Sequence, residues 1–120
     1  MKLPNFPIFV VQPKLVRLLS SVAPIDIEAI TLGFLVLSRR PLNQEVERHE
    51  RIHFQQYVEL CFVFFPAVYL FDFLWLYLRY RDAKQAYMGI RMEREAYEYM
   101  KVEGYCQHRQ KYAWFWQYRL

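Results

Sequence analysis

The residues best suited by type and spacing to do chemistry lie in RHERIHFQQ, residues 48–56, which holds two of the chain's three histidines. His49 and His53 are one helical turn apart. Four residues correspond to about 400° on an α-helix, so both imidazoles project from nearly the same face. Two imidazoles so placed can bind one tetrahedral zinc ion. Glu50 points to the side, where it can reach a metal-activated water without being a ligand itself. This is the HExxH arrangement, two ligands and a general base. Gln56 lies about 60° from His53 around the helix, still on the metal side, where it can contact substrate or orient a ligand.

A catalytic zinc needs a third protein ligand and an open position. The block RMEREAYEYM offers acids on a predicted helix: Glu93, 40 residues after His53, and Glu95 as its competitor. An apolar segment lies between the two blocks and could fold back as a hairpin.

HERIH followed by Glu93-Arg94-Glu95-Ala96-Tyr97 resembles the gluzincin group of zincin metallopeptidases. Several of those families follow HExxH with an E-x-x-A-D or E-x-x-A-N helix whose first glutamate binds zinc. The longer run H-E-x-[IV]-H-x-x-Q, an apolar segment with proline, then E-R-E-A-Y is similar to small uncharacterised bacterial zincin-like proteins. The likeness covers roughly residues 30–100. It includes TLGFLVLSRR, in the place of the zincin strand that lines the substrate cleft and can pair with an extended peptide.

The resemblance implies a zinc metalloendopeptidase with Zn2+ as cofactor and a peptide or protein as substrate. His49, His53 and Glu93 would hold the metal, which polarises the scissile carbonyl and acidifies water. Glu50 would take the water proton and pass it to the leaving amine. Tyr97, Tyr99 and His108 are candidate donors to the oxyanion. Tyr97 departs from the Asp or Asn that steadies a ligand histidine in the better-known families, which leaves that supporting role without a named residue.

The elements that must position these groups follow from local patterns. Residues 1–12 read as extended, and Pro13 can open a short helix that ends before Pro24. IDIEAITLGFLVLS, residues 25–38, alternates and then becomes β-branched and aliphatic, as a strand does. Gly33 in its middle would let another backbone approach. Asn43 is a suitable N-cap for a helix over about 44–64, with Glu45 and Glu47 in its first turn. Pro66 should break it. A further helix is expected from Asp82 to about Glu103, ended by Gly104.

These elements make an α+β domain, mostly α, built as a minimal zincin-like unit. It has one short strand or hairpin, an active-site helix, a hydrophobic helical segment and a ligand-bearing helix. The chain of 120 residues is long enough for one domain, with its core over about 25–104 and an aromatic, basic tail at 105–120.

LCFVFFPAVYLFDFLWLYL, residues 60–78, is nearly all apolar, with Asp72 its sole charge. Its length approaches that of a bilayer span, but Pro66 and Asp72 interrupt it. We expect a helix partly embedded in a membrane interface, with Asp72 capping a kink or paired to an arginine. Aromatics are 19% of the chain, a high share for so small a core. The net charge of +4 favours an anionic partner, and because basic residues flank the apolar runs we expect lipid rather than nucleic acid. The N-terminus is interrupted by Pro4, Pro7 and Pro13 and is not expected to be a signal peptide; the protein is expected to be membrane-associated, on the cytoplasmic side. Cys61 and Cys106 form no CxxC, and Cys61 is expected in the core. The rival to a peptidase is a non-enzymatic membrane-associated adaptor or a structural zinc protein with a degenerate zincin site.

Overall fold

The computed structural model describes residues 5–23 and 25–120. The fold is α+β and mostly helical, as the sequence pattern predicts. Three short strands, β1 (Ile8–Val11), β2 (Ala29–Leu32) and β3 (Leu35–Ser38), form one sheet in the order β1-β3-β2. β1 runs parallel to β3, and helix α1 (Pro13–Ser21) lies between β1 and β2 in the chain. β2 and β3 are antiparallel, with Leu32 opposite Leu35.

The single strand expected over 25–38 is therefore a hairpin. Gly33 makes the difference: its φ is +65° and it occupies the first position of a two-residue turn, where glycine supplies the left-handed conformation that a tight hairpin needs. The turn packs on the next corner of the chain, with Phe34 stacked on Phe62 at 4.4 Å.

Helix α2 (Gln44–Glu59) begins as predicted, with the Val46 N–H donating to Asn43 Oδ1 at 2.9 Å. It stops five residues early. Cys61 and Phe62 both take positive φ, 53° and 62°, and helix α3 (Phe64–Tyr80) leaves at 111° to α2. Pro66 falls in the first turn of α3, where its missing N–H forfeits no helical bond. Cys61 is exposed at this corner, not in the core, because the corner turns its side chain outward.

The helix expected over 82–103 is two helices, α4 (Ala83–Gly89) and α5 (Arg91–Tyr99), broken at Ile90, whose ψ is 127°. Asp72, in the middle of α3, explains the break. Its carboxylate accepts the Arg91 backbone N–H at 3.2 Å and the Arg91 guanidinium at 2.8 and 2.9 Å. It thus caps α5 from another helix and pairs with arginine, as expected of it. Gly89 allows the close approach, since a Cβ there would lie 3.0 Å from Leu76 Cδ1.

The core gathers Tyr57, Phe65, Tyr87, Ile90, Met92 and Trp114. It reaches beyond 25–104 at both ends: Val16 is buried, and so are Ala113, Trp114 and Tyr118 of the C-terminal segment. That segment forms α6 (Tyr105–His108) and α7 (Ala113–Gln117), and α7 packs on α5.

Candidate metal centre

α2 turns its buried residues in two directions. His49, His53 and Gln56 face α5, and Glu50 faces β2. α5 meets α2 with Met92, Glu93, Glu95 and Ala96 buried. Ala96 is fully enclosed, and so small a side chain at a helix crossing lets the two backbones approach.

The outcome is a convergence of three donors. Glu93 Oε1 lies 3.2 Å from His49 Nε2 and 2.9 Å from His53 Nε2. All three side chains are almost wholly buried, and the imidazole centroids are 4.8 Å apart. Glu50 Oε2 stands 3.8 Å from His49 Nε2. Its ligating atom and those of the two histidines lie within 4.8 Å of one another, so both glutamates reach the histidines. Glu93 is nearer to both rings. Glu50 is drawn toward β2 by Thr31 Oγ1, which donates to its Oε1 at 3.0 Å.

The hydrogen bonds around Gln56 fix which His53 nitrogen carries hydrogen. The Gln56 amide nitrogen donates to the Met92 carbonyl at 3.1 Å and to Glu95 Oε1 at 2.9 Å. Both partners are acceptors, so the amide cannot be flipped. Gln56 Oε1 must then accept from His53 Nδ1, 2.8 Å away. With hydrogen on Nδ1, neutral His53 aims the lone pair of Nε2 at the Glu93 carboxylate, acceptor against acceptor at 2.9 Å. Only a positive charge between them makes that favourable, a second proton or a metal ion. In the metal-free protein the proton serves: burial works to lower the His53 pKa, and the Glu93 carboxylate outweighs it and pushes it up to about 9. For Glu93 itself burial would raise the pKa, and the two imidazoles hold it well below the carboxylate range. Two imidazole nitrogens and a carboxylate so closely grouped are donors that could share one metal ion in place of that proton.

Glu95 is not a third donor. It is fully buried on the far side of Gln56, where it accepts from Tyr105 at 2.7 Å and from Arg109 Nε at 2.5 Å. Arg109 also grips Glu59 at 2.7 and 3.0 Å. An Arg109–Glu95–Gln56–His53 chain thus runs from the C-terminal segment to the centre.

Tyr69 of α3 donates to Glu93 Oε2 at 2.6 Å, on the oxygen that does not face the histidines. The Tyr97 ring packs edge-on against His49 at 4.4 Å, and its hydroxyl lies 3.0 Å from that of Tyr87. Of the other candidate oxyanion donors, Tyr99 bonds Gln117 and His108 is exposed on α6, so neither reaches the centre.

A cleft of about 410 Å³ opens over the histidines, with β2 on one side and Phe65, Pro66 and Tyr69 on the other. β2 is the edge strand of the sheet on that side. The Arg39 N–H bonds the Glu28 carbonyl, so the alternation of an antiparallel ladder turns the backbone groups of Ala29 and Thr31 away from β3, toward the cleft. The Thr31 carbonyl is taken by Tyr57 Oη at 3.1 Å, which leaves the Ala29 groups and the Thr31 N–H. Glu50 lies below, and burial raises its carboxyl pKa against the opposing pull of the two histidines.

The sequence pattern leaves out Thr31, Tyr69 and Arg109. Tyr69 alone carries a signal, since a phenol inside an apolar run requires a partner for its hydroxyl.

No family model, curated protein or solved structure matches the chain.

Proposed function

We propose that the protein is a zinc-dependent peptidase. One observation carries the reading: His49 Nε2 and His53 Nε2 converge within 3.2 Å of Glu93 Oε1 in a buried group, with Glu50 beside them under an edge strand. His49, His53 and Glu93 would hold Zn2+, which supplies a Lewis acid for the carbonyl and lowers the pKa of water.

The remaining work belongs to the chain's own residues. The outward groups of Ala29 and the Thr31 N–H pair with an extended peptide, adding it to the sheet and setting its scissile bond over the histidines. Glu50 removes a proton from the attacking water and returns it to the leaving amine. Thr31 keeps the Glu50 carboxylate aimed through the hydroxyl that donates to Oε1. Tyr97, whose ring packs on His49 and whose hydroxyl is shared with Tyr87, is the candidate donor to the carbonyl oxygen.

The test is cleavage of an unstructured protein substrate by zinc-loaded protein. Glu50→Gln keeps the shape of the side chain and removes the base, so turnover should fall by roughly 10²–10⁴-fold with the zinc retained. Zinc-loaded parent that cleaves no substrate of a broad peptide library would instead mark a structural zinc protein.

A further inference from the structure

α3 is apolar on the wrong side. Its inward face, set by Phe65, Tyr69, Asp72 and Leu76, holds the helix's one acid and a hydrogen-bonded tyrosine. Its outward face carries Phe64, Leu70, Phe71, Leu74, Trp75 and Leu78, each between 49% and 62% exposed. At about 100° per residue these side chains, with Ala67, fill an arc of roughly 140° that has no polar residue in it. Apolar patches of this kind on a protein surface mark a contact with something else.

We propose that the outward face of α3 seats the protein on an anionic phospholipid surface, with the helix lying in the interface. The charges at its end fit that occupant. Arg79, Arg81 and Lys84 are all exposed where α3 passes into α4. The nearby acid, Asp82, is engaged in capping α4 through the Gln85 N–H at 2.9 Å. Tryptophan and phenylalanine beside arginine are the residues that settle at a headgroup boundary.

A second copy of the chain fits less well. A helix of 17 residues is about 25 Å long and about 10 Å across, a footprint of roughly 250 Å², against about 800 Å² per partner in a stable interface. A spanning role fails on other grounds. Among the described residues no single helix is long and apolar enough to cross a membrane, the one pair that reaches that length together, α2 and α3, is bent by 111°, and the inner face of α3 is packed on α4 and hydrogen-bonded to α5. The inner side of the same helix lines the cleft through Phe65, Pro66 and Tyr69, so a bilayer on the outer side brings the cleft next to the membrane surface. The seating itself does not depend on the zinc reading.

The experiment is co-sedimentation of the full chain with phosphatidylcholine vesicles, with and without phosphatidylglycerol. Two variants accompany it: Phe71→Ser/Leu74→Gln/Trp75→Gln on the apolar face, and Arg79→Glu/Arg81→Glu at its end. All five positions are exposed, and circular dichroism with thermal melting verifies the fold of each variant. The parent should bind the phosphatidylglycerol vesicles more tightly than the neutral ones, with tryptophan fluorescence quenched by brominated lipid in the parent and less in the variant that lacks Trp75. Each variant should bind them roughly tenfold or more weakly. Parent that stays in the supernatant with both vesicles overturns the proposal, as do folded variants that bind as well as the parent. So does a dimer that the apolar-face variant dissociates while vesicles leave the parent unbound.

Discussion

His53 is held from both ends, by the Gln56 amide oxygen on Nδ1 and by the Glu93 carboxylate facing Nε2. If this chain of acceptors and donors aims the Nε2 lone pair, Gln56→Met should weaken zinc binding by roughly 10–100-fold, measured by competition with a chelator at fixed pH. Unchanged affinity would remove Gln56 from the account. Thr31 acts on Glu50 in a comparable way. Its hydroxyl lowers the pKa of a carboxyl that burial raises. A general base works when deprotonated, so activity is lost as pH falls through its pKa. In Thr31→Val that pKa rises further, and the acidic limb of the pH–rate profile should move to higher pH with the zinc content unchanged. A limb that stays in place would exclude Glu50 as the group it reports. At this scale the sequence was partly legible. HExxH sets the direction of three side chains by helical period alone. It could not separate Glu93 from Glu95, which lie about 200° apart on α5. Which of them faces the histidines depends on how α5 is rotated, and that rotation is set by burial of Met92 and Ala96.

Asp72 anchors the start of the same helix. By capping α5 at Arg91, two residues before Glu93, it ties the ligand-bearing helix to the middle of α3. Asp72→Ala leaves Arg91 without its carboxylate and α5 without its cap, and should cost about 3–5 kcal/mol in urea unfolding. Asp72→Asn should cost less, because the amide oxygen still accepts the Arg91 N–H. Equal losses in the two variants would show that the cap contributes nothing. The start of α2 could be read from Asn43 and the acids after it, whereas the run over 25–38 reads as one strand and the turn at Gly33 shows only in its positive φ. The break at Ile90 could not be read either. Neither Ile90 nor Arg91 is a helix breaker, and the carboxylate that stops α4 from continuing comes from a residue 19 positions away.

Across the whole molecule the C-terminal segment was the least legible part. Its aromatic and basic residues fit a membrane interface and a helix packed on the domain equally well. In the fold Arg109 bridges Glu59 and Glu95 from a buried position, and Trp114 closes the core over Arg91. Isolated long-range pairs of this kind have no period in sequence. What holds the molecule together therefore also supports the centre: α2, α5 and the C-terminal segment meet through Gln56, Glu95 and Arg109. The most direct measurement is the zinc content of protein purified without chelator, for the parent and three variants. The account predicts about one zinc per chain in the parent. It predicts loss of that zinc in His49→Ala and Glu93→Gln, and retention in Glu50→Gln. A folded parent without zinc that takes up none on addition would contradict it, and so would a Glu93→Gln variant that binds zinc as tightly as the parent.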